Sequence, residues 1–125
     1  MIRLLLVDDE ISIRRGLRMQ LELEPDLAVV GEAADGAEAL ALVSTLEPDV
    51  VLMDIQMRGM DGLAATRELH QAGRAPSVVV LSLHDDVPMR ARAAEAGACA
   101  FVGKHEPGAV LLSAIRTVAG SSGAE

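Results

Sequence analysis

A chain of 125 residues, half of them hydrophobic, is long enough for one well-formed core and too apolar to be disordered. Its net charge of −8 makes a surface that repels nucleic-acid phosphates, so direct contact of this domain with DNA or RNA is not expected. A single cysteine, Cys99, excludes an internal disulfide and suits a reducing cytoplasm, and no apolar run approaches the ~20 residues needed to cross a bilayer.

The stretch 2–7 predicts a strand that ends abruptly at Asp8, Asp9 and Glu10. Its apolar run, 4–7, is too short to be the core of a secretory leader. A helix follows over 11–23, with Ile13, Leu17 and Leu21 on one face, until Glu24-Pro25-Asp26 stops it. A second strand covers 27–32. Asp35-Gly36 turns the chain into a helix over 37–46, where Leu40, Val43 and Leu46 share a side.

Glu47-Pro48 breaks the chain again before a third strand at 50–53, which delivers Asp54 to its carboxyl end. A third helix starts at Asp61, a good N-cap, and ends at Gly73. The fourth strand is 77–82. Asp85 and Asp86 open a helix with Pro88 in its first turn, and Gly97 closes it. A short fifth strand, 100–103, precedes a helix over 107–119 with Val110, Ala114 and Val118 along one side. Cys99 reads as a small buried hydrophobe. Residues 1–119 form one domain, and 120–125, Gly-Ser-Ser-Gly-Ala-Glu, read as a linker or tail.

Strict alternation of five strands and five helices implies βαβ crossovers and an α/β fold, a parallel sheet covered on both faces. In such sheets chemistry sits beyond the carboxyl ends of the strands. Those ends carry Asp8 and Asp9, Asp54, Ser82 and Lys104. Taken singly they are ordinary: a helix cap, a turn former, a strand-end hydroxyl, a surface ammonium. Together, on one edge, they make a site. Three crowded carboxylates need a proton or a counter-ion, and Mg²⁺, a hard cation with oxygen ligands, neutralises them together with Lys104. Adding a phosphoryl group to Asp54 makes the site negative again, an excess that Lys104 and the Ser82 hydroxyl can meet.

Four stretches, V-D-D-E at 7–10, M-D-I-Q-M-R-G-M-D-G at 53–62, V-V-V-L-S at 78–82 and A-F-V-G-K at 100–104, closely resemble the response-regulator receiver domain of bacterial two-component systems. V-V-G-E-A-A-D-G-A-E-A-L at 29–40 is most similar to receivers of NarL/FixJ-type (LuxR-like) transcription regulators. The resemblance implies a flavodoxin-like (βα)5 doubly wound sheet of order 2-1-3-4-5. It makes Asp54 the phosphoacceptor, Asp9 a direct Mg²⁺ ligand, Asp8 a ligand through water, and the main-chain carbonyl of Gln56 a further ligand. Ser82 matches the switch hydroxyl and Phe101 the switch aromatic, which here lacks a hydroxyl and reports only by packing. Gln56 and His84 match positions that tune the lifetime of the phosphate. The implied partner is a sensor histidine kinase. The implied output is a phosphorylation-dependent homodimer or a tethered effector, with transcription controlled through a helix-turn-helix domain outside this chain. The alternative is a stand-alone or degenerate receiver acting as a protein-interaction module.

Two positions depart from the family pattern. Arg58 stands where proline is frequent, and His105 follows Lys104 where many receivers have proline, so both loops are expected to be less constrained. A phosphatase of the haloacid-dehalogenase kind is disfavoured, because the second acid it needs two residues after the nucleophile is Gln56 here. A nucleotide-binding module is disfavoured because no strand leads into a G-x-G-x-x-G or P-loop motif. The chain is therefore expected to be a phosphoacceptor signalling domain, with self-catalysed phosphotransfer and slow autodephosphorylation, rather than a turnover enzyme.

Overall fold

The structure is a computed structural model and describes residues 1–73 and 76–123. Strands and helices alternate as β1 (Ile2–Val7), α1 (Ile11–Leu21), β2 (Leu27–Ala33), α2 (Gly36–Leu46) and β3 (Val50–Asp54). They continue as α3 (Gly62–Gln71), β4 (Ser77–Ser82), α4 (Val87–Ala96), β5 (Ala100–Gly103) and α5 (Gly108–Gly123). All strand pairs are parallel, in the order β2-β1-β3-β4-β5, so the expected doubly wound sheet is what forms.

Side-chain alternation along the strands sets the two layers. Leu5, Val7, Val51, Met53 and Val80 point into a core shared with α2, α3 and α4. Leu4, Leu6, Val50, Leu52, Val79 and Leu81 point the other way, onto Leu21 of α1 and Leu111, Ile115 and Val118 of α5. Burial on both faces is why 4–7 of β1, 50–53 of β3 and 78–81 of β4 are unbroken apolar runs instead of alternating ones.

The helix starts are chemically marked. Asp35, Asp61 and Asp86 accept the N–H groups of Glu38, Ala64 and Met89 at 2.8, 2.8 and 2.9 Å. α4 stops at Gly97, whose φ of +106° would strain any side chain. A Cβ there would also lie 2.6 Å from the His70 ring.

Four details depart from the sequence expectation. α1 closes two residues early, because Leu23 N–H and Glu24 N–H turn back to Gln20 O and Leu21 O. Leu23 is left exposed, and Ile13 also lies toward solvent while Leu17 and Leu21 reach the core. α5 is rotated by about one residue, so Leu111, Ile115 and Val118 are buried and Val110 is 38% exposed. This rotation buries a Leu and an Ile in place of a Val and an Ala, which removes more apolar area from water. α5 also continues through residues 120–123 of the expected tail, while 124–125 lie outside the described residues. Finally, Cys99 is exposed, because it sits just before the edge strand β5, its N–H donating to Val78 O at 2.8 Å.

The rotation of α5 is testable by denaturant unfolding. Ile115→Ala should cost about 2–5 kcal/mol and Val110→Ala about 0.5 kcal/mol or less. Equal costs would place the buried face elsewhere.

Candidate functional site

Strand register assembles the site. Val7 pairs with Met53, so Asp8 and Asp54 emerge side by side one residue beyond. Asp54 pairs with Leu81, which puts Ser82 just past it, and Ser82 pairs with Gly103. The Lys104 N–H donates to Ser82 O at 2.8 Å, extending the ladder by one bond.

The side chains then meet. Lys104 Nζ lies 2.9 Å from Asp54 Oδ1 and 3.0 Å from Asp8 Oδ2. Asp8, Asp54 and Ser82 are buried, whereas Asp9 is more open to solvent. Asp8, Asp9 and Asp54 each offer a carboxylate oxygen within 4.8 Å of the others. Burial pushes the Asp54 carboxyl above its usual range, and the charges of Asp8 and Asp9 add to this. The Lys104 hydrogen bond and charge pull it down without cancelling the rise. Lys104 feels the reverse: burial lowers its pKa, but its bonds to Asp54 and Asp8 outweigh that and hold it above the ordinary lysine value. It stays a cation.

These oxygens fit a hard divalent cation. One ammonium leaves three carboxylates under-neutralised, and Asp9 makes no hydrogen bond among the described residues. Asp8, Asp9 and Asp54 would hold Mg²⁺ there.

Two supporting features were not read from the sequence. Gly62, first residue of α3, is pressed onto the phosphoacceptor candidate: a Cβ at this position would lie 2.0 Å from Asp54 O. Its N–H donates to Ile55 O at 3.0 Å, so the helix start sits on the backbone of β3's end. Glycine directly after an N-cap, where propensity disfavours it, was the available signal. The other is a basic clamp. The Arg14 guanidinium donates to the Asp8 carbonyl and pairs with Glu32 at 2.8 Å, and Arg18 reaches the same carboxylate at 2.6 Å. Burial would raise the Glu32 carboxyl, but the two guanidinium groups outweigh it and hold it below its usual range.

Asp8 also fills the local role open to it, since Oδ1 accepts the Glu10 N–H at 3.0 Å. The remaining predicted residues lie around the centre rather than in it. Gln56 is exposed in a surface cleft that also contains Asp9, Arg58 and Asp61. His84 is exposed, and its link to the site is its own N–H, donated to Ser82 Oγ at 3.0 Å. Phe101 lies two residues back along β5, paired with Val80. In the loop carrying His105, the Glu106 N–H donates to Gly103 O at 3.0 Å and Glu106 pairs with Arg90 at 3.7 Å.

Comparison with known proteins places this geometry among relatives. Residues 4–116 match the response regulator receiver domain family. The transcriptional regulatory protein LiaR of Bacillus subtilis is 42% identical over 116 residues, covering 93% of this chain and 55% of that protein. The nitrate/nitrite response regulator protein NarP of Escherichia coli is 38% identical over 123 residues, covering 98% of this chain and 56% of that one. A crystal structure of a LuxR-family two-component response regulator from Aurantimonas sp. superposes with a TM-score of 0.91 at 37% identity, covering 95% of this chain and 85% of that one. The chain thus spans about half the length of the curated relatives it matches. No helix among the described residues is long and apolar enough to cross a membrane.

The raised Asp54 pKa has a definite sign. The folded protein keeps a proton that the unfolded chain releases, so this contribution is full below the ordinary carboxylate pKa and is lost as pH rises through the raised value. At neutral pH the buried charge is therefore a net cost without a metal. Asp54→Asn should raise the melting temperature of the metal-free protein at pH 7 and flatten the wild-type decline across that window. Mg²⁺ should raise the wild-type value and not that of Asp9→Ala/Asp54→Asn. Parallel pH profiles for wild type and Asp54→Asn would contradict the assignment.

Proposed function

Because the chain belongs to the response regulator receiver domain family, whose members are phosphorylated by histidine kinases, we propose that Asp54 accepts a phosphoryl group from a phosphohistidine of a sensor kinase. The observation that supports this most directly is the Lys104 ammonium held at 2.9 Å from Asp54 Oδ1, on the same edge as Ser82 and two further acids.

An Asp54 carboxylate oxygen attacks phosphorus in line. A P–O bond forms as the P–N bond breaks, and the electron pair goes to the departing imidazole nitrogen. A ring that enters protonated on its other nitrogen leaves neutral. The product is an acyl phosphate on Asp54. Mg²⁺, held by Asp9 directly, by Asp8 through water, by Asp54 and by the Gln56 carbonyl, would neutralise charge on the transferring group.

Lys104 is already within ion-pair reach of the nucleophile, so it can meet the added charge directly. Ser82 Oγ accepts from His84 N–H and keeps its own hydrogen to donate to a phosphoryl oxygen. Gln56 and His84, both exposed, are the residues we assign to tuning the lifetime of the acyl phosphate. The domain returns to its starting state by slow self-catalysed hydrolysis and turns over no external substrate.

Many relatives are transcription regulators, LiaR among them by name. The output we assign is transcriptional, through a DNA-binding domain beyond the receiver at 1–119, with 120–125 leading toward it. Phosphorylation would act by self-association or by releasing that domain.

Acetyl phosphate with Mg²⁺ should give a hydroxylamine-labile mass gain of one phosphoryl group, absent in Asp54→Ala. Lys104→Ala should still bind metal but lose phosphate-dependent dimerisation. A labile adduct that persists in Asp54→Ala, or no adduct on saturated wild type, would overturn the assignment.

A further inference from the structure

Phe101 lacks the hydroxyl with which a tyrosine at its position could bond to a neighbour, so its ring connects to the site only through groups packed on it. The structure supplies one on α4. The Arg90 guanidinium carbon lies 4.7 Å from the centroid of the Phe101 ring, within cation–π range. Arg90 Nε is 2.6 Å from Asp85 Oδ1, and Arg90 Nη2 is 3.7 Å from Glu106 Oε1.

These three partners come from three segments. Asp85 is in the β4–α4 loop, three residues after Ser82, and Glu106 is in the β5–α5 loop, two residues after Lys104. Phe101 is on β5 between them. His105 adds a fourth contact, its Nε2 at 4.0 Å from Asp85 Oδ2, and its ring and the Asp85 carboxylate both lie over Gly103. A Cβ on Gly103 would sit 2.8 Å from His105 Cε1 and 3.0 Å from Asp85 Oδ2, so these loops are packed against the end of β5 with no space between. Arg90 therefore touches one side chain from each loop and the ring between them.

We propose that Arg90 is the positioning residue that couples the Ser82 and Lys104 loops to Phe101. A planar guanidinium suits this role because it holds a carboxylate at its Nε edge while its face lies on a ring, which a lysine ammonium cannot do. When Ser82 and Lys104 adjust to a phosphoryl group on Asp54, Asp85 and Glu106 shift with their loops. Arg90 follows its two anions, and the ring responds to the moving charge. This coupling rests on the phosphoacceptor role given to Asp54. Its anchor, Asp85, is held below the usual carboxylate range, first by the Arg90 hydrogen bond.

Phe101 is the only Phe in a chain without Tyr or Trp, so fluorophenylalanine labelling gives one resonance that reports this ring alone. The probe is beryllofluoride with Mg²⁺, added to wild type, Arg90→Met and Arg90→Lys. Before addition, Arg90→Met should move the ring resonance, and an unmoved resonance would overturn the contact. After addition, wild type should shift both the amides around Asp54 and the ring. In Arg90→Met the amide shifts should persist at wild-type size while the ring shift falls at least threefold. Arg90→Lys should give an intermediate ring shift. A full ring shift in Arg90→Met would overturn the coupling. Unmoved amides in wild type would bring down the phosphoacceptor role, and the coupling with it, a result distinct from a variant whose amides move and whose ring follows them.

Discussion

The site depends on one ammonium group being held where it is least comfortable. Lys104 Nζ is drawn out of water to lie between two buried carboxylates, 2.9 Å from Asp54 and 3.0 Å from Asp8. Neither carboxylate would be tolerable at that depth without it, and it would not be there without them. The balance is incomplete. Two buried anions and an exposed third face a single cation, and Asp54 is left with a raised proton affinity. A site poised this way has room for more positive charge, and in the phosphotransfer we propose Lys104 is on hand for the negative charge that follows.

Everything around this cluster works to bring it to one place. Register in the parallel sheet aligns the four strand ends, and covered faces fix that register, because a slip by one residue would turn a polar end inward. Gly62 lets α3 begin on top of Asp54's own backbone. The Arg14–Glu32–Arg18 clamp ties α1 to β2 and reaches the carbonyl of Asp8. On the other side Arg90 joins the loops after β4 and β5. The first clamp thus touches the carboxylate segment itself, and the second touches Phe101.

Much of this was legible in the residues. Apolar runs bounded by Pro48, Pro76 and Gly97 mark the strands and helices, and the acids that close strands one and three point to the functional edge. What was not legible has physical reasons. The face of α5 is decided by which side chains fill the sheet's far layer, so Leu111 and Ile115 displaced the equally periodic Val110 and Ala114. Cys99 is exposed because topology places it at a sheet edge, which composition does not encode. Gly62 and Arg90 act through contacts set by how the connecting loops fold neighbouring elements onto one another, which residue pattern does not encode. Residues on the strand ends could be grouped from sequence because parallel topology groups them; residues that support those ends could not.

The central claim is that the covalent phosphate sits on one particular carboxylate among three neighbours. Borohydride reduces an acyl phosphate of aspartate to homoserine, which marks the modified position permanently. Wild-type protein treated with acetyl phosphate and Mg²⁺, reduced, digested and sequenced by mass spectrometry should carry homoserine at position 54 alone. Homoserine at position 8 or 9, or at no position, would contradict the account.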